Sequence, residues 1–198
     1  MPKVFVYGAQ MIHPESLGAA WAGCVHDHAV RFVARGIPVF EPVFAALEPA
    51  PGEIAHGVVV DFSDESWASL VALERSYEAR EVEVELLEAE DAAELGGERL
   101  RCQAFILVRE RRPTPGRPSA RYARKLAAGA RAHGLPKSVI DRYEHAAAEG
   151  SKLSLSLEWL FPIASRIGLV PTAIIVLLPL ALGLGFGLAY LTRLAFGN

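Results

Sequence analysis

Cysteine is scarce in this chain. Cys24 and Cys102 are the only two among 198 residues, too few for a disulfide framework or a zinc site, and they fit a reducing compartment. The opening MPKVFVYGAQ lacks the marks of a secretory signal, having one Lys, a short apolar run and no small-residue cleavage site. No P-loop, dinucleotide fingerprint or Ser-His-Asp arrangement is visible. His26 and His28 stand two apart on a predicted strand and so share a face. No third ligand accompanies them, and they read as a surface pair with no metal. Internal repeats are also missing.

Charge is absent altogether from Ile167 to Thr192, where Leu, Ile, Val, Ala and Gly dominate. At about 1.5 Å per residue a helix over this stretch reaches about 39 Å, enough to span a hydrocarbon core of about 30 Å with some tilt. Pro171 and Pro179 would break a soluble helix and are tolerated in a membrane one. The expectation is a single-pass C-terminal membrane anchor over 166–193, preceded by a linker over 150–165 and followed by a short tail over 194–198. Trp159 and Phe161 would sit near the membrane interface. Gly183 and Gly187 form one small-xxx-small pair, which suggests a homodimer contact within the bilayer. Arg166 and Arg193 flank the span on both sides and bias its orientation little. With the apolar run placed last, the domain before it is expected in the cytoplasm.

The formal net charge is −3, and it is unevenly distributed. Glu74 to Glu98 is acidic. Arg109 to Arg131 is basic, with Arg109, Arg111, Arg112, Arg117, Arg121, Arg124, Lys125 and Arg131. This run reads as a solvated face balanced by the acidic segment, with anionic lipid headgroups as the functional alternative. No nucleic-acid motif accompanies it, so no nucleic-acid partner is expected.

Short elements fill residues 1–149. Lys3–Tyr7 reads as a strand closed by Gly8, and Pro14–Leu17 as a short helix. Val25–Val33 reads as another strand, after which Pro38, Pro42, Pro49 and Pro51 predict loops and short extended pieces. Ile54–Phe62 is rich in β-branched residues and predicts a central strand. Asp64–Tyr77 has helical spacing, with Ser63 as its N-cap. Arg80–Leu86 alternates, with Val82, Val84 and Leu86 on one face and Glu81, Glu83 and Glu85 on the other. Leu100–Val108 is a further strand. After the prolines at 113, 115 and 118, two helices are predicted over Ser119–His133 and Pro136–Ala148, separated by Gly134. Strands first and helices grouped late make an α+β pattern.

Two local features could carry chemistry. Trp67, Leu70, Val71 and Glu74 follow i, i+3, i+4, i+7 spacing and share a helical face. The apolar companions point that face at the core, where desolvation raises a carboxyl's pKa and suits it to general acid or base work near neutral pH. The alternative is a Glu at the edge of the stripe that reaches solvent or pairs with Arg80. The second feature is the strand-to-loop turn Tyr7-Gly8-Ala9-Gln10-Met11. Its glycine permits close backbone approach to a ligand, and successive N–H groups there can form an anion-binding nest.

Four pieces in order make the chain resemble the γ-glutamylcyclotransferase family. Val4–Met11 (VFVYGAQM) resembles its FxYGSN[LM] loop. Pro51–Val60 (PGEIAHGVVV) resembles its PGxxVxGVV strand, with Ala55 at the Val position. Leu70–Glu74 (LVALE), followed by Tyr77 and REVEV, resembles its helix with the catalytic glutamate. Pro118–Leu135, completed by Pro136, resembles its PSxxYxxxxxxGAxxxGLP segment. The resemblance implies a small mixed β-barrel with flanking helices over 1–149, with no metal or cofactor. It implies Glu74 as the catalytic residue. Tyr7, Gly8, Ala9 and Gln10 would form the loop that receives the γ-glutamyl carboxylate, and Tyr122 would contact the substrate.

The implied partner is a small γ-glutamyl amino acid, peptide or amine. Its α-amine would attack its own γ-carbonyl and release 5-oxoproline and an amine. One carboxylate of raised pKa can take the proton from the attacking nitrogen and then give it to the leaving one. Folding the arm back on itself supplies proximity, and loop donors would steady the developing oxyanion. The family's Ser-Asn is Ala9-Gln10 here, its Gly after the glutamate is Arg75, and a membrane tail is not a usual feature. The Ala9-Gln10 departure favours the alternative, a non-catalytic ligand- or partner-binding module of the same fold at the membrane.

Overall fold

The computed structural model describes residues 1–12, 19–37, 41–74, 77–107 and 116–150. Its strands are β1 (Lys3–Val6), β2 (Ala20–Ile37), β3 (Glu41–Asp61), β4 (Tyr77–Leu86) and β5 (Arg99–Leu107). The helices are α1 (Asp64–Leu73), α2 (Ala89–Leu95), α3 (Ala120–Ala132) and α4 (Lys137–Glu149), and a 3-10 turn covers Ala9–Ile12. The strands close into a barrel in the order β1-β3-β2-β4-β5. The closing pair, β5 onto β1, is parallel, with Val4 opposite Gln103 and Phe5 opposite Ala104. The expected small mixed β-barrel with flanking helices is therefore present.

Side-chain periodicity accounts for much of this. In β4, Val82, Val84 and Leu86 are buried while Glu81 and Glu83 are exposed, the alternation of a sheet with one wet face. In β1, Val4, Phe5 and Val6 are all buried, as in a strand covered on both sides. Ser63 caps α1 by accepting from the Ser66 N–H at 3.1 Å. Helices α3 and α4 lie within a residue or two of their predicted bounds.

Several expectations change. Pro42, Pro49 and Pro51 do not break the chain into loops, because all three lie within β3. Proline is tolerated at bulges and sheet edges. The β2–β3 register shifts between His26 and His28, opposite the stretch from Pro49 to Ile54. Asp27, at φ 56°, accepts the Gly52 N–H there at 2.8 Å. Strand β2 is also longer than Val25–Val33, since it follows β3 along both halves. The helix predicted to Tyr77 stops at Leu73, with Glu74 as its cap (φ −85°, ψ 49°). Helix α2 was not anticipated within the acidic segment. Gly96, at φ 79°, ends it in the left-handed conformation glycine favours.

The basic run is not one solvated face. Arg121 is buried and donates from both Nε, 2.8 Å away, and Nη2 to the same Glu41 oxygen, Oε1. Ser119 donates its hydroxyl to the other Glu41 oxygen and accepts the Tyr122 N–H at 3.0 Å, capping α3. Arg124 and Arg131 are exposed, and Arg131 pairs with Glu144. Arg109, Arg111 and Arg112 lie outside the described residues.

Among the described residues no helix is long and apolar enough to cross a membrane. The expected anchor with Gly183 and Gly187, nearly all of the linker, the tail and the short helix Pro14–Leu17 lie outside them. The buried pair yields a prediction. Breaking such a pair from one side costs about 3–5 kcal/mol, so Arg121→Ala should lower the unfolding free energy by that amount. Urea denaturation checks this, and a loss below about 1 kcal/mol would contradict the role given to the pair.

Candidate active site

All six expected site residues, Tyr7, Gly8, Ala9, Gln10, Glu74 and Tyr122, line one cavity of about 210 Å³. Strand β1 delivers Tyr7 and the turn after it. The junction between α1 and β4 delivers Glu74, and the first turn of α3 delivers Tyr122. Phe44 and Ala45 from β3, Tyr77 from β4 and Phe105 from β5 complete much of the wall; of these only Tyr77 falls in a motif, and none is among the expected site residues. Tyr77 carried a usable signal, since it stands three residues after Glu74 and opens the alternating strand. Phe44 and Ala45 were hidden by the prolines that read as loop.

The turn is held in place by α3. Met11 donates its N–H to the Gly8 carbonyl at 3.1 Å, and His133 Nε2 lies 2.9 Å from the Met11 carbonyl oxygen. A Cβ on Gly129 would sit 2.9 Å from Met11 Cβ, so α3 approaches this closely because glycine stands there. The N–H groups of Ala9 and Gln10 precede the second bond of so short a turn and have no partner within it.

The three phenols of the cavity wall each bond the main chain. Tyr7 donates to the Phe105 carbonyl at 2.5 Å. Ala45, next to a second β2–β3 register shift at Phe32/Ala34, donates its N–H to the Tyr122 oxygen at 3.2 Å. Its carbonyl accepts from the Tyr77 hydroxyl at 3.0 Å. Burial pushes the pKa of all three phenols up, so they stay neutral near neutral pH.

Glu74 differs from the helical-face expectation. It caps α1 rather than riding on it, and Val71 is 41% exposed, so the apolar stripe is narrower than its spacing suggests. Arg80 does not pair with Glu74, because it bonds Glu78 at 2.7 Å. Glu74 is half-buried, and Oε1 accepts from Gln10 Nε2 at 3.1 Å. Burial raises its pKa, and the Gln10 bond partly opposes the rise. Among the described residues it forms no salt bridge. His26 and His28 are elsewhere, with His26 Nε2 3.2 Å from Glu85. No group of three His, Cys, Asp or Glu is placed to hold a metal among the described residues. The cavity is walled mainly by aromatic rings and main chain, with one carboxyl and one amide side chain, and its size suits a ligand smaller than the drug-sized ones that occupy roughly 300 Å³ or more.

The chain belongs to the gamma-glutamyl cyclotransferase, AIG2-like family, whose model matches residues 4–124. Its fold is similar to that of a gamma-glutamyl cyclotransferase (TM-score 0.59, 18% identity, 72% of this chain and 85% of that one). It is also similar to a yeast gamma-glutamyl cyclotransferase specific to glutathione (TM-score 0.59, 18% identity, 76% and 96%). YkqA from Bacillus subtilis is likewise similar (TM-score 0.60, 15% identity, 76% and 55%). At these identities the likeness establishes the fold. Among curated proteins, no sequence matches this chain.

Removing the Tyr122 hydroxyl leaves the buried Ala45 N–H without that acceptor. Such a loss costs about 1–3 kcal/mol. Tyr122→Phe should therefore lower the unfolding free energy by about that much, measured by denaturant titration, while an unchanged value would refute the bond.

Proposed function

We propose that the chain is a γ-glutamyl cyclotransferase held at a membrane by residues 166–193, with Glu74 as its general acid and base. The observation that carries the enzymatic part is the Glu74 carboxyl. It is half-buried at a small cavity, its pKa is raised by that burial, and a neutral amide is its hydrogen-bond partner. Raising the pKa brings the carboxyl closer to neutral pH, which favours a group that must act first as a base and then as an acid.

The reaction proceeds as follows. Glu74 takes a proton from the α-ammonium of the γ-glutamyl group. The freed nitrogen attacks the γ-carbonyl carbon, a C–N bond forms, and negative charge grows on the carbonyl oxygen. Glu74 returns the proton to the departing nitrogen as its bond to the γ-carbon breaks. The ring nitrogen loses a further proton to water, and the released amine takes one up. The products are 5-oxoproline and an ammonium compound. The loop Tyr7–Gln10 would receive the substrate's α-carboxylate through backbone N–H groups. Ala9 supplies no hydroxyl, so this reading relies on the main chain there.

The membrane part rests on the uncharged run Ile167–Thr192. It adds location and no chemistry, because the family match ends at residue 124.

A panel of γ-glutamyl amino acids, peptides and amines should release 5-oxoproline with the wild-type chain. Glu74→Gln should lose about 100-fold or more in rate with an unchanged melting midpoint. Full activity in that variant would overturn the assignment. Absence of turnover on every donor, with ligand-induced thermal stabilisation retained, would favour a binding module. A chain ending at Gly150 should stay soluble and keep its activity, while the full chain sediments with membranes. A full chain that stays soluble without detergent would refute the anchor.

A further inference from the structure

The Gln10–Glu74 bond joins the one carboxyl of the cavity to the loop across it. This inference rests on the cyclotransferase reading and goes beyond it. We propose that Gln10 is a positioning residue for Glu74: its amide occupies Oε1 of the carboxyl and leaves Oε2 as the oxygen that takes and returns the proton.

The geometry separates the two oxygens. Gln10 Nε2 lies 3.1 Å from Glu74 Oε1, and an amide nitrogen is a donor only. The amide N–H takes one of the two lone-pair positions on Oε1, whereas both positions on Oε2 stay open, so a proton settles on Oε2 without disturbing the bond. The amide is itself seated. Its own Oε1 lies 3.4 Å from where a Cβ on Gly8 would stand, so the side chain folds back over the bare backbone of Gly8. The loop beneath it is pinned by His133 and by the close approach of Gly129 to Met11. Gln10 thus tethers one oxygen of the carboxyl to a loop held on α3.

Side-chain length matters. Asparagine, which the family's loop pattern carries at this position, is shorter by one carbon–carbon bond of about 1.5 Å. The same backbone would then hold its amide beyond hydrogen-bond distance of Glu74. The pairing therefore depends on glutamine.

The amide also favours the ionised carboxyl and so opposes the effect of burial. The titratable groups lining the same cavity besides Glu74 are Tyr7 just after β1, Tyr77 on β4 and Tyr122 on α3. All three remain neutral well above neutral pH. Of the groups described around the cavity, Gln10 is the one that bonds the carboxyl.

The test uses the full chain in detergent with carbon-13-labelled glutamate carboxyls, with the Glu74 signal assigned by its loss in Glu74→Gln. Gln10→Met keeps the side-chain length without the donor, and Gln10→Asn keeps the donor without the length. In both, the Glu74 titration midpoint should move up by about one pH unit, a tenfold change in acid constant. The 5-oxoproline-forming kcat/KM should fall below the new midpoint and recover above it. Thermal midpoints near wild type identify the variants that fold. An unmoved Glu74 midpoint in a folded variant would overturn the proposal. A loss of rate equal at every pH would mark a structural role and overturn it too. If the wild-type chain turns over no γ-glutamyl donor, the cyclotransferase reading and the proton-carrying role fail together, and the titration alone decides the pairing.

Discussion

The buried charge at Glu41 is the constraint on which the cavity wall depends. A carboxylate removed from water is costly unless its acceptor sites are filled. Here Arg121 fills one oxygen with two donors and Ser119 bonds the other. The same Ser119 oxygen caps α3 through the Tyr122 N–H, so the pair fixes where α3 begins and where Tyr122 enters the cavity. Tyr122 in turn accepts from Ala45. A buried pair of this kind adds little net stability compared with apolar packing. What it supplies here is placement, tying the start of the long hairpin strand β3 to the helix that closes over the barrel.

Around the cavity the electrostatics are nearly neutral. Three phenols are spent on main-chain carbonyls or amides, and burial keeps them protonated. Glu74 is left under two opposed influences, desolvation raising its pKa and the Gln10 amide lowering it. A guanidinium in place of that amide would hold the carboxyl ionised and weaken it as an acid. A neutral hydrogen-bond partner leaves the carboxyl free to gain and to lose a proton, which a single group serving an attacking and a leaving nitrogen needs.

Much of this was legible in the sequence. Alternation located β4, Ser63 and Ser119 located two helix starts, and the four ordered motifs contain all six expected site residues, which line one cavity. The failures have physical causes. The prolines of β3 obey a local rule that bulges and an edge override, and the Asp27–Gly52 bond that stabilises the bulge joins residues far apart in the chain. Arg121 resembles its neighbours in the basic run, and only the partner across the fold, Glu41, makes it a buried residue. Val71 fits the apolar spacing but faces water, because α1 covers the barrel with a narrower stripe. Phe44, Ala45 and Phe105 reach the cavity through barrel closure, which no local pattern records.

The central claim is that Glu74, with its raised pKa, performs the proton transfers of cyclisation. The pH dependence of kcat/KM for 5-oxoproline release tests it most directly. The group must be ionised to accept a proton, so activity should fall as pH drops through the Glu74 pKa. Because burial raises that pKa, the acid limb should lie above the ordinary carboxylate range, and Glu74→Asp should move it. A limb at the ordinary carboxylate position, or one that stays in place when Glu74 is replaced, would contradict the account.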